Sequence, residues 1–99
     1  MKNFRCFQLA KDLYHECKSL PVKGHQRDQL LRASLSVCLN LAEGNGKQTT
    51  KERRRFFYIA LGSQREVQCL IELENLTQAQ EKADRLGASL FKLIQALPA

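Results

Sequence analysis

Residues 30–46 read Leu30-Leu31-Arg32-Ala33-Ser34-Leu35-Ser36-Val37-Cys38-Leu39-Asn40-Leu41-Ala42-Glu43-Gly44-Asn45-Gly46, and this stretch decides the fold. Leu30, Ser34, Val37 and Leu41 recur at helical spacing; Leu31, Leu35, Cys38 and Ala42 form a second stripe beside them. An apolar arc that wide predicts a helix over about residues 27–43 that is covered on more than one side. Gly44-Asn45-Gly46 then stops it, because Gly and Asn accept left-handed backbone after a helix.

Similar segments lie on either side. Upstream, Phe7, Ala10, Leu13, Tyr14 and Cys17 recur at the same spacing, which predicts a helix over 4–19. Leu20-Pro21 ends it, since a residue before proline disfavours α geometry, and Gly24 loosens the connector. Downstream, Thr49 and Glu52 form a capping-box pattern ahead of a long helix to about residue 75. Phe56, Ile59, Ala60, Ser63, Val67, Leu70 and Ile71 are its expected inner stripe. Gly62-Ser63 falls mid-helix, where Gly costs about 1 kcal/mol against Ala, so close approach by a neighbouring helix is expected there. Thr77 and Gln80 repeat the capping-box pattern before a fourth helix carrying Ala79, Ala83, Leu86, Leu90, Leu93, Ile94 and Leu97. No segment reads as a strand. The expected fold is all-α, an antiparallel up-down-up-down four-helix bundle, as a single domain spanning residues 1–99.

Size and composition narrow the function. A chain of 99 residues buries a modest core and gains from a partner subunit. No apolar run approaches the roughly 18 residues of a membrane span, and Met1 to Cys6 is too polar for a signal peptide, so a cytoplasmic protein is expected. Cys6, Cys17, Cys38 and Cys69 are widely spaced with no C-x-x-C pair. Cys17 and Cys38 fall at apolar positions and read as core residues. Neither a metal nor a cofactor is implied.

Enzyme chemistry finds no support. His15 and His25 sit in different segments without a Ser or Cys nucleophile pattern. No E-x-x-H pair exists for a di-iron bundle. The Gly44–Thr49 segment lacks a phosphate loop's first glycine, follows a helix, and has Gln where Ser or Thr must follow Lys47.

Charge is the stronger signal. The chain carries +6, of which residues 47–65 hold +5: Lys47, Lys51, Arg53, Arg54, Arg55 and Arg65 against Glu52 alone. Lys47, Lys51 and Arg54 or Arg55 are spaced by three or four and can share one side. Such a patch suits phosphate neutralisation, with Tyr58 one turn on as a stacking surface. A solvated face is the plainer reading. Polar residues within apolar stripes are the second signal: Arg32, Asn40 and Glu43 on the second helix, Ser63 and Glu66 on the third. A hairpin turning near residue 47 places Arg32 opposite position 62, one turn from Glu66, and Asn40 opposite Arg54. A register-setting network with a buried or half-buried Arg32–Glu66 pair is therefore expected.

Arg32 to Gly44 resembles the signature RAxxSxxxNxAEG, and Arg55 to Glu66 resembles RFxxxAxGSxxE. Phe7-Gln8-Leu9-Ala10 and Leu20-Pro21 fit the first helix of the same family. The chain is thereby similar, over about residues 4–75, to the bacterial four-helix-bundle proteins first noted in intervening sequences of 23S ribosomal RNA genes. It departs from them at Phe7, often Trp, and at Cys38-Leu39, often Pro-Ala. The resemblance implies a bundle that assembles as a ring, typically a homopentamer, with no known enzymatic activity. A related branch serves diversity-generating retroelements, where a basic pentamer binds nucleic acid and a reverse transcriptase. The expected function is thus a non-enzymatic oligomeric scaffold that binds RNA or DNA, largely independent of sequence, through Lys47, Lys51, Arg53, Arg54, Arg55 and Arg65. The alternative is a protein-interaction module docking a partner such as a reverse transcriptase.

Overall fold

A computed structural model describes residues 4–99. It holds four α-helices, α1 (Arg5–Lys18), α2 (Gly24–Asn45), α3 (Thr50–Leu73) and α4 (Gln80–Gln95), with a short 3-10 turn at Thr77–Ala79. Each helix packs on two others: α1 on α2 and α4, α3 on α2 and α4, with the longest seam between α2 and α3. The result is an all-α four-helix bundle of 40 × 23 × 21 Å. Its axis is filled by Ala10, Leu13 and Cys17 of α1, Leu30, Val37 and Leu41 of α2, Ala60, Val67 and Ile71 of α3, and Ala83, Leu86 and Leu90 of α4.

The helix boundaries follow local chemistry. The α1 helix ends at Ser19, just before Leu20-Pro21. α2 begins at Gly24, three residues earlier than the apolar spacing predicts, because glycine takes φ +65° at no steric cost and turns the chain into the helix. α3 starts as expected: the Thr49 hydroxyl accepts the Glu52 backbone N–H at 3.2 Å. The matching cap at Thr77 does not form. Thr77 opens the 3-10 turn, and α4 starts after Ala79 without a side-chain cap. Asn75, at φ 56°, reverses the chain after α3 instead.

Two expectations about the packing of α3 are corrected. The inner face of α3 is Phe57, Ala60, Leu61, Gln64, Val67 and Ile71, rotated from the expected stripe. Phe56 and Ser63 are half-buried and Ile59 is exposed. Residues 56–61 are apolar nearly all round, so spacing alone did not select a face. Next, no helix approaches Gly62: a Cβ there would meet no atom within 4 Å. The close approach occurs at Gly44, where a Cβ would lie 2.7 Å from the Phe57 ring and 3.1 Å from Cβ of Phe56.

Gly44 beside Phe56 and Phe57, with Ser36 bonded to Ser63, also fixes the register of the antiparallel α2–α3 hairpin. It is offset by more than a helical turn from a symmetric hairpin about residue 47, so the first turn of α3 projects past the end of α2. The offset removes the expected pairings. Arg32 and Glu66 are both exposed and make no ion pair with each other. Asn40 does not meet Arg54. Its amide donates to the Ser36 carbonyl at 2.9 Å and the Ser36 hydroxyl at 3.1 Å. The seam network is thus Ser36, Asn40 and Ser63, with the two hydroxyls 2.9 Å apart. Glu43 lies outside it, exposed and paired with Lys47 at 3.3 Å.

Candidate nucleic-acid interface

The α2–α3 connector and the projecting first turn of α3 form a basic rim at one end of the bundle. The capped start of α3 orients it. The Arg53 Nε–H donates to the Lys47 carbonyl at 2.7 Å and closes the connector onto the helix. Arg54 reaches across to donate to the Pro98 carbonyl beyond α4. Lys47 Nζ and the Arg55 guanidinium stand 5.2 Å and 5.3 Å from the centre of the Phe56 ring. Lys51 is exposed and, among the described residues, has no partner.

The electrostatics of this rim follow from those partners. Backbone carbonyls are neutral, so Arg53 and Arg54 keep their full charge and their remaining N–H donors. Within the rim only Lys47 has a carboxylate partner, Glu43, and that pair is partly solvated and weak. Lys51 and Arg55 are the cations least committed to the fold. Arg65 does not join them. It sits about 15 Å along α3 from Arg55, in a cleft of about 220 Å³ between α3 and α4. Tyr58, Gly62 and Phe91 line the same cleft.

Two features were missed at the sequence level. Gln64 is 1% exposed. Its amide donates to the Ala83 carbonyl at 2.8 Å, in space left by Gly87. Its place in the apolar series Phe57, Ala60, Leu61, Val67 was the available signal. The other feature is an apolar outer face on α2 and α3, where Leu39, Leu35 and Ile59 are 59%, 39% and 41% exposed. Arg32, Glu43 and Glu66 lie exposed on these same two helices.

The thiols carry no nucleophilic character where they are buried. Burial pushes Cys17 and Cys38 up to about 11, and the Ser34 hydroxyl beside Cys17 offsets this only in part. Burial raises Cys6 as well, against an opposing hydrogen bond with Ser89. All three stay protonated at neutral pH. Among the described residues no three His, Cys, Asp or Glu side chains converge on a metal-sized site. Among the described residues no helix is long and apolar enough to cross a membrane.

The molecule is therefore a small helical bundle with a basic rim at one end. It belongs to the 23S rRNA-intervening sequence protein family, whose family model matches residues 4–98. Among solved structures it is similar to a protein of unknown function from the S23 ribosomal protein family of Bacteroides thetaiotaomicron VPI-5482. The two share 22% identity with a TM-score of 0.69, over 93% of this chain and 90% of that one. That likeness establishes the shared bundle fold. No curated protein matches the sequence.

Proposed function

We propose that the chain is a non-enzymatic, oligomeric scaffold that binds RNA or DNA through its basic rim. The observation that carries this reading is the charge state of the rim: five cations at one helix start, with Glu43 the one carboxylate paired to them. Such a surface neutralises phosphates without reading bases, so binding is largely independent of sequence and falls steeply with salt. The homopentamer that the family resemblance implies repeats the rim around a ring and multiplies a weak contact by avidity. Exposed Leu35, Leu39 and Ile59 support contact with a second copy of the chain. The same face favours the alternative reading, in which the assembly docks a partner enzyme such as a reverse transcriptase.

Fluorescence anisotropy with a labelled duplex RNA and a duplex DNA, at 50 and 200 mM salt, tests the proposal. Lys51→Ala/Arg55→Ala is the informative variant, because Arg53 and Arg54 also hold the connector and the chain end. It should flatten the salt dependence of log K by about 1.5–2 with no change in thermal stability. Absence of binding by the unaltered protein at 50 mM salt overturns the reading, as does unchanged binding by the variant.

A further inference from the structure

A second cationic surface lies along the seam of α1 and α4. A groove of about 310 Å³ between α1 and α4 is lined by Arg5, Leu9, Arg85, Ala88, Ser89 and Lys92. Arg85, Ser89 and Lys92 follow each other at four and three residues and so share one face of α4; Arg5 and Leu9 share a face of α1 in the same way. None of the three cations has an ion-pair or hydrogen-bond partner among the described residues, and no carboxylate lines the groove. Asp12, two turns beyond Arg5 on α1, forms no ion pair with Arg85, and Glu16 is held by Lys82 at 3.0 Å.

This placement works against the fold. Three like charges beside one groove repel. Arg5 stands in the first turn of α1, where the helix dipole disfavours a cation. Lys92, in the last turn of α4, suits the dipole, but Arg85 in the middle of that helix gains nothing from it. A counter-anion in the groove removes the repulsion. The Ser89 hydroxyl, half-buried and engaged with Cys6, is a fixed polar group in the groove wall. Long flexible cations over a small hydroxyl-bearing wall suit a phosphate group, whose oxygens accept from several donors at once.

We propose that this α1–α4 groove is a phosphate-binding site, taking either the phosphates of a nucleic-acid strand or a free phosphate ester. It shares no residue with the rim, so it stands or falls separately from the function proposed above. Calorimetric titration of the intact protein with inorganic pyrophosphate is the test. Saturable binding is expected, weakened about tenfold or more in Arg85→Ala/Lys92→Ala and unchanged in Lys51→Ala/Arg55→Ala. Arg85 and Lys92 are exposed, so circular dichroism should show both variants folded. No saturable binding by the unaltered protein overturns the site, as does full binding by the groove variant or loss confined to the rim variant. Anisotropy with duplex RNA then separates the two sources. Weaker RNA binding by the groove variant identifies a strand, and unchanged RNA binding identifies a free ester.

Discussion

Two glycines on neighbouring helices behave in opposite ways. Gly44 is buried against the Phe56 and Phe57 side chains, and a methyl group there must displace an aromatic ring that is itself 3% exposed. Overpacking of this kind costs about 1–3 kcal/mol, and the better helix propensity of Ala returns at most about 1 kcal/mol. Gly44→Ala should therefore lower Tm by several degrees in a thermal melt followed by circular dichroism. Gly62→Ala meets open space and should hold or raise Tm within a single chain. A Gly62→Ala variant that unfolds as early as Gly44→Ala contradicts the open space beside Gly62 in the α3–α4 cleft. At this scale the sequence was a partial guide. The rim cations were legible because they are contiguous, and the buried Cys17 and Cys38 because they sit within apolar stripes. Arg5, Arg85 and Lys92 were not, since they come from opposite ends of a chain whose last third is net acidic.

At the scale of the helix, α3 depends on its first turn. Thr49 caps it, Arg53 ties it back to Lys47, and Arg54 ties it to Pro98. Thr49→Ala removes the hydroxyl acceptor and should cost about 1 kcal/mol, seen as a lower urea midpoint at constant m-value. No change in the midpoint means that the cap is dispensable to the rim's geometry. The four helices themselves were legible from signals such as Leu20-Pro21 and the Thr49 cap. The left-handed stop expected at Gly44-Asn45-Gly46 does not form: α2 runs on to Asn45 and Gly46 stays at φ -86°. The facing register of α2 and α3 was not legible. It depends on how far the connector carries α3 past α2, and that is set by Gly44 accepting the Phe56 and Phe57 side chains. Once the register moves, Arg32 and Glu66 lose each other and Ser36 acquires Ser63.

For the whole molecule, the bundle leaves apolar surface uncovered on the α2–α3 side, with Leu39 more than half exposed. Surface of that kind on a small chain is commonly closed by association. Under the proposed assembly, light scattering should give about five times the 11.3 kDa chain mass. Leu39→Glu should then yield single chains of unchanged helical content, because the side chain touches solvent and not the core. An unaltered mass for Leu39→Glu excludes this face as the contact between copies. The wide apolar arc of α2 predicted cover on more than one side, but within the single chain Leu35 of its second stripe and Leu39, outside both stripes, stay uncovered.

The distribution of sulfur has a practical consequence. Three thiols are sealed in the core and Cys69 alone is exposed among the described residues, on α3. Each protomer thus presents a single addressable position for a spin label or fluorophore without engineering. In a closed ring of identical subunits, the number of distinct label-to-label distances narrows the subunit count, one for a dimer or trimer and two for a tetramer or pentamer, and the ratio of the two distances separates the last pair. Protection of the same thiol from alkylation in the assembled state, with release on dissociation, would place the subunit contact along the Cys69 side of α3.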